Sequence, residues 1–190
     1  MALPLSASEV GLIVDKPFGK AQTIQLVPGF LNAGKIDAVG PTGIGIRGAW
    51  TVVDFKVAEL GLTASYRPKA QEDLIWQGTK IGKVGTEYAA LGAQVDWKFL
   101  VNLHVGLDFR QEKITSEITA LTNSKATTTL TRPWLRAGLG FSIPTPAVSP
   151  FVRFEVAMAA TKEDKTDTPD NIRKALAPQY EVALYGGIRF

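Results

Sequence analysis

The sequence lacks cysteine and contains a single histidine, His104, among its 190 residues. Without cysteine the chain has no disulfide bond and no thiolate ligand for a metal ion. One imidazole does not make up the set of nitrogen and sulfur ligands that zinc requires. We therefore expect no metal site and no cofactor. A chain without cysteine is also compatible with passage through an oxidising periplasm.

Long apolar runs are also missing. Hydrophobic residues make up 45% of the chain, but no window holds the eighteen or more apolar residues of a transmembrane helix. A transmembrane β-barrel stays open, because its strands are only half apolar. Residues 1–5 lack the basic segment and apolar core of a signal peptide, so we expect that a signal has been removed. The net charge is +3 without any cluster of lysine or arginine, which argues against nucleic acid as a partner.

The sequence has instead a strict alternation of apolar and polar residues, which is clearest over residues 89–110. The apolar positions there are Ala89, Leu91, Ala93, Val95, Trp97, Phe99, Val101, Leu103, Val105, Leu107 and Phe109. A period of two over such a length is typical of β-strands and differs from the helical period. The stretch therefore predicts two strands joined by a tight connection near residue 100.

The same period marks six further segments, so the sequence predicts eight strands. They cover residues 9–15, 42–51, 55–67, 89–99, 101–110, 134–143, 151–161 and 179–190. Long connections at residues 16–41, 68–86, 111–128 and 162–178 alternate with short ones. An even strand count with short turns at one end and long loops at the other is typical of transmembrane barrels. We predict an all-β fold, an eight-stranded antiparallel up-and-down transmembrane barrel that forms a single domain over residues 1–190.

The last strand carries the most specific motif. Its apolar face consists of Tyr180, Val182, Leu184, Ile188 and Phe190. This alternation with a final phenylalanine resembles the terminal strand of bacterial outer-membrane β-barrels, where it serves as the insertion signal. Together with the strand count, the chain resembles the small OmpA/OmpX-like barrels, in architecture throughout and in residues only in this strand. The resemblance implies the outer membrane of a Gram-negative bacterium, periplasmic termini, four long extracellular loops and contact with the barrel-insertion machinery.

Alternation alone leaves open which face is outside. A soluble lipocalin-like barrel would turn the apolar face inward around a small ligand. Aromatic residues on the apolar face favour lipid instead, because Trp50, Trp97 and Phe99 lie near the short connections and Tyr66 and Phe109 lie at the opposite ends. Two such bands are what the two membrane interfaces select. We therefore predict that these five residues are interfacial aromatics.

The polar face carries glycines and a nearly balanced set of charges, as expected of a narrow interior in which charges must be paired. We predict a lumen charge network with a structural or gating role. Its members are Glu9, Arg47, Glu59, Asp96, His104, Asp108, Arg110, Arg136, Arg153, Glu155, Glu181 and Arg189. Within it we expect Glu9 to meet Arg189 where the first and last strands close the sheet, and Asp96 to lie opposite His104.

Three functions are compatible with this sequence. The leading hypothesis is a non-enzymatic outer-membrane protein with a filled polar lumen, whose loops serve surface interaction or envelope integrity. The alternatives are a narrow channel or conduit for small molecules, and a soluble ligand-binding barrel. Catalytic residues are not predicted, because His104 has only Asn102 and Gly106 as neighbours on its face. As partners we expect outer-membrane lipid and lipopolysaccharide, whose phosphates would pair with Lys69, Lys80 and Lys83, and we expect a monomer.

Overall fold

A computed structural model describes residues 8–19, 22–24, 34–36, 40–76, 78–99, 101–118, 124–161 and 177–190. These residues form ten β-strands. In chain order the strands are β1 (Ser8–Phe18), β2 (Gln22–Ile24), β3 (Gly34–Ile36), β4 (Gly43–Asp54), β5 (Ala58–Trp76), β6 (Thr79–Trp97), β7 (Asn102–Ile118), β8 (Ser124–Ser142), β9 (Ser149–Ala159) and β10 (Tyr180–Arg189). In the described part of the chain, no helix is long and apolar enough to cross a membrane.

Eight of the strands form one closed antiparallel ring. The ring runs β1–β4–β5–β6–β7–β8–β9–β10 and closes where β10 pairs with β1, from Glu9 opposite Arg189 to Phe18 opposite Tyr180. β2 and β3 pair with each other and join the end of β5 through Ile36 and Trp76. The predicted eight-stranded antiparallel barrel is thereby confirmed. We call the end where β4 joins β5, β6 joins β7 and β8 joins β9 the short-turn end, and the opposite end the long-loop end.

The predicted long loop at residues 68–86 is wrong. β5 continues to Trp76 and β6 begins at Thr79, so that a tight turn with Gly78 at φ 79° separates them. The register between these strands shifts at Arg67/Ala70 and again at Leu74/Ile75. Such bulges interrupt the period of two, and a proline inside a strand, here Pro68, weakens the strand pattern further. The alternation of apolar and polar residues is therefore interrupted in this segment and does not identify it as a strand.

Other strand ends also extend beyond the predicted ones. β1 runs to Phe18, β7 runs to Ile118 and β8 begins at Ser124, so most of the predicted loop at 111–128 is strand. The extensions of β7 and β8 are polar on their outer faces, and alternation of hydrophobicity does not mark a strand that is polar on the outside. The predicted connection at residues 52–54 belongs to β4, which has a bulge between Thr51 and Val53. Most of the predicted loop at 162–178 lies outside the described residues.

The ring has a polar interior and an apolar exterior. Fully or nearly fully buried side chains inside it include Trp134, Arg47, Arg67, Arg110, Arg132, Arg136, Tyr185 and His104. On the outer face, large apolar side chains such as Leu91, Ile46 and Leu62 are exposed. A lipocalin-like barrel requires the reverse arrangement, so the described strands contradict that alternative.

Candidate functional site

The lumen is the candidate functional site, and its middle layer is built around Glu155. Arg47 donates hydrogen bonds to both Glu155 oxygens, with Nη1–Oε1 at 2.7 Å and Nη1–Oε2 at 2.5 Å. His104 Nε2 lies 3.1 Å from Glu155 Oε1, and Arg136 Nη1 lies 3.5 Å from the same oxygen. Arg136 also donates to both oxygens of Asp108, at 3.1 and 3.2 Å. One carboxylate thus joins side chains from β4, β7, β8 and β9.

A second layer lies toward the short-turn end. Arg153 donates to both oxygens of Glu9, at 2.7 and 2.9 Å, and its Nη2 lies 3.3 Å from Asp96 Oδ1. Arg189 Nη2 lies 3.2 Å from Glu9 and 3.4 Å from Glu59. The first and last strands of the ring therefore share charge pairs as well as backbone hydrogen bonds.

The third layer lies toward the long-loop end. Arg110 donates two hydrogen bonds to Glu181, at 2.6 and 3.0 Å. Its guanidinium carbon lies 4.5 Å from the centre of the Tyr88 ring and 4.4 Å from that of Trp134, so the cation is held between two aromatic faces. Arg132 donates to Glu112 at 2.7 Å and to the carbonyl of Pro178 at 2.7 Å. These contacts tie β7 and β8 to the segment that enters β10.

An apolar cluster lies beyond the charged layers. It contains Val84, Ile114, Leu130 and Ala177, all buried. Below it, Asp15 accepts a hydrogen bond from the Tyr88 hydroxyl at 2.9 Å and lies 3.2 Å from Arg67. Going inward from the long-loop end, the lumen is therefore closed first by apolar side chains and then by charged ones.

Glycine leaves the room that the central side chains need. A Cβ at Gly138 would lie 2.4 Å from His104 Cε1 and 2.4 Å from the Phe154 carbonyl oxygen. A Cβ at Gly92 would lie 2.2 Å from Asp108 Oδ1. Real contacts of a Cβ are much longer, so any larger residue would displace the charge network. A cavity of about 10 Å³ between Glu9, Glu59 and Asp96 has room for about one water molecule.

The twelve predicted lumen residues all lie on the inner face, and the structure brings them together in the three layers just described. Eleven of them are buried, and Arg189 is half-buried at the rim. Glu9 meets Arg189 as expected. Asp96 is opposite His104 in the register, but its side chain accepts a hydrogen bond from Gln94 at 2.7 Å. The histidine ring contacts Glu155 instead.

Several lumen residues were not named among the predicted site. They are Asp15, Arg67, Tyr88, Gln94, Glu112, Arg132, Trp134 and Tyr185. Most of them lie on the polar face of the predicted strands, so the alternation of the sequence already indicated that they point into the lumen. Tyr88 was missed because it follows the stretch interpreted as a loop. Among the described residues, no group of three or more histidine, aspartate or glutamate side chains is placed to hold a metal ion.

The outer face carries the predicted interfacial aromatics and the terminal motif. Trp50, Tyr66, Phe99 and Phe109 are exposed there, and Trp97 is half-buried on the same face. The terminal residues Tyr180, Leu184, Ile188 and Phe190 are exposed on the outside, and Val182 is half-buried. Their roles at the membrane interface and in insertion remain predictions.

Comparison with known proteins gives the fold. The sequence matches no protein-family model and no curated protein. Among solved structures, the attachment invasion locus protein Ail of Yersinia pestis, in complex with the heparin analogue sucrose octasulfate, is similar at a TM-score of 0.51 and 15% identity, covering 97% of this chain and 98% of Ail. A major outer membrane protein from Thermus thermophilus is similar at a TM-score of 0.55 and 12% identity, covering 96% of this chain and 98% of that one. The chain therefore has the fold of the small outer-membrane β-barrel proteins.

Proposed function

We propose that this chain is an integral, non-enzymatic outer-membrane protein whose eight strands cross the bilayer. The observation that carries the proposal is the apolar exterior. Large hydrophobic side chains are 38–69% exposed on every strand of the ring. A monomeric soluble protein rarely leaves apolar patches of more than a few hundred Å² in contact with water, whereas a transmembrane barrel needs such a band.

The filled lumen supports a structural role for the charge network. Each arginine in it is matched to a carboxylate on another strand, and the pairs link strands that are far apart in the sequence, such as β4 and β9. Buried charges that are paired and hydrogen-bonded specify one arrangement of the wall. No observation favours the narrow channel, because the three charged layers and the apolar cluster all lie across the same path.

The long-loop end supports a surface role. β5 pairs with β4 only as far as Tyr66, yet it continues to Trp76 in a hairpin with β6. β7 and β8 likewise pair as far as Ile118 and Ser124. At about 3.3 Å per residue, this four-stranded extension would project well beyond the membrane and offer a polar surface to a partner. There, the hydrogen bond and positive charge of Lys125 lower the pKa of Glu117, which keeps that carboxylate ionised.

The proposal is tested by refolding the chain into detergent and comparing boiled with unboiled samples on SDS gels. A closed membrane barrel resists SDS until it is heated, so we expect a mobility shift on boiling and precipitation when detergent is left out. A matched variant, Leu91→Asp, places a charge on the apolar exterior and should reduce the refolded fraction in vesicles. A monodisperse protein without detergent would contradict the proposal.

A further inference from the structure

A groove of about 670 Å³ runs along the apolar exterior over β4, β5 and β6. Its floor is made of small residues, because Gly48 pairs with Ala64 across β4 and β5, and Ala89 lies in the neighbouring strand β6. Trp50 and Tyr66 stand at opposite ends of it. The depression therefore results from small side chains that are surrounded by large ones.

Trp50 forms the wall of the groove toward the short-turn end, and its ring packs against the floor. A Cβ at Gly48 would lie 3.3 Å from Cη2 of Trp50, so the indole packs over the glycine backbone. The other wall is formed by Leu91 and Phe109, which pair across β6 and β7 and are exposed. An elongated apolar guest would contact an indole, two other aromatic rings and an aliphatic side chain. The shape and chemistry fit a hydrocarbon chain.

The long-loop end of the groove is polar and then basic. Gln111 and Thr131 pair across β7 and β8 and line the groove there. The next outward pair is Glu87 with Lys113, whose side chains meet at 2.8 Å. Lys69 lies across the backbone of β6, because a Cβ at Gly85 would come within 2.6 Å of its Cε.

The charges of this outer surface do not balance. Beyond the groove it carries five lysines against three carboxylates. They are Lys69, Lys80, Lys83, Lys113, Lys125, Asp73, Glu87 and Glu117. Lys80 is paired with Asp73, Lys113 with Glu87 and Lys125 with Glu117. Lys83 has Asp73 and Glu117 as its cross-strand neighbours, but neither Lys69 nor Lys83 has a carboxylate within ion-pairing distance among the described residues. An anionic group at this level would therefore be attracted.

We propose that the groove and these lysines together form a binding site for a phosphorylated, multiply acylated glycolipid of the lipid A type. One acyl chain occupies the groove between Trp50 and Tyr66, and the phosphates contact Lys69 and Lys83. The inference rests on the proposed membrane location, which sets the long-loop end in the outer leaflet. It deepens that proposal by naming the ligand and the strands that hold it.

The test is a titration of the refolded full-length chain with bisphosphorylated hexa-acyl lipid A, with the bound lipid counted by native mass spectrometry. The groove is filled by Ala64→Phe with Ala89→Phe, and the cationic contact is removed by Lys69→Gln with Lys83→Gln. Losing two or three buried methylenes should weaken binding roughly 15- to 60-fold. The lysine variant should weaken it several-fold at low salt and less at high salt.

Two matched controls separate the site from general effects. Leu139→Phe enlarges an exposed side chain of β8 that does not line the groove, and Lys56→Gln removes a lysine at the short-turn end. Both should bind lipid A as the wild type does. If the filled-groove variant fails to refold, Ala89→Leu alone is used, and the boiling shift verifies that every variant is a closed barrel.

The proposal is overturned if the filled groove binds lipid A with unchanged affinity, or if phosphatidylglycerol binds as tightly as lipid A. It is also overturned if the wild type forms a dimer that the filled groove abolishes, because the groove would then hold a second copy of the chain. None of these outcomes touches the membrane location, which is decided separately by the boiling shift and by solubility without detergent.

Discussion

Arg47 and Glu155 are separated by 108 positions in the sequence and meet in the middle of the lumen, with Arg47 Nη1 2.5 Å from Glu155 Oε2. Both side chains are 1% exposed. The same carboxylate also contacts His104 and Arg136. Loss of this carboxylate leaves the buried Arg47 without its acidic partner, whereas Arg136 keeps Asp108.

The first prediction concerns this carboxylate. Glu155→Leu is expected to lower the free energy of unfolding by about 3–5 kcal/mol, the usual cost of leaving a buried charge unpaired. The double variant Arg47→Leu/Glu155→Leu should lose less than the sum of its two single variants. Urea unfolding of the refolded barrel in vesicles, followed by tryptophan fluorescence, measures this coupling. The exposed pair Lys113 and Glu87 is the control, and a comparable effect there would contradict the prediction.

The second prediction concerns Gly138, whose missing side chain makes room for the His104 ring. Gly138→Ala should destabilise the barrel by about 1–3 kcal/mol, because the added methyl group meets both the imidazole and a backbone oxygen. Gly186→Ala is the matched control, since its Cβ would have its nearest neighbour at 3.5 Å. The two variants are compared by their unfolding midpoints. Equal midpoints would show that the close approach at Gly138 carries no cost.

The third prediction concerns the closure of the ring. Glu9→Gln should destabilise the refolded barrel more than Arg189→Gln, because Glu9 also binds Arg153 and is more deeply buried than Arg189. The exchange Glu9→Arg with Arg189→Glu should not restore stability, since the new arginine would face Arg153. Unfolding curves of the three variants test this order. Full rescue by the exchange would mean that Glu9 and Arg189 form an isolated pair.

The sequence predicted the barrel because one residue in two is forced to face lipid-like surroundings and the other a crowded polar interior. Wherever both constraints act, as in residues 101–110, the predicted strand agrees with the structure. Pairing of Glu9 with Arg189 followed from ring closure alone. The inward position of the charged residues followed from the same alternation.

Beyond the apolar band, outward-facing residues no longer have to be apolar. The alternation therefore disappears, and the strand ends there are predicted wrongly. Strand β8 begins with a threonine-rich segment whose outer face is polar, and β5 is interrupted by bulges. Neither segment shows an alternation of apolar and polar residues. Partners within the lumen were equally hidden, since the contact of His104 with Glu155 depends on side-chain reach across the ring. The lateral groove depends on which small residues become neighbours, and that is set by strand register.

The fourth prediction concerns the terminal motif. If Phe190 is read by the insertion machinery, Phe190→Ala should slow assembly into membranes that contain the machinery and leave refolding in detergent unchanged. Phe141→Ala is the matched control, because Phe141 is similarly exposed on the outer face. The fraction of chain that shifts on boiling, followed over time, measures assembly. Equal assembly rates for the two variants would show that the final phenylalanine acts only as an ordinary lipid-facing residue.

The fifth prediction concerns conduction. The wild-type barrel should give no resolved current steps in a planar bilayer, because three charged layers and an apolar cluster block the lumen in series. Arg47→Gly with Glu155→Gly, which removes the central ion pair of the middle layer, should stay closed as well, since Arg110 remains held between Tyr88 and Trp134 and Arg153 remains bound to Glu9. Reproducible steps of one size from the wild type would contradict the filled lumen and restore the narrow channel. Steps from the variant alone would mean that the Arg47–Glu155 pair is the main barrier to ions.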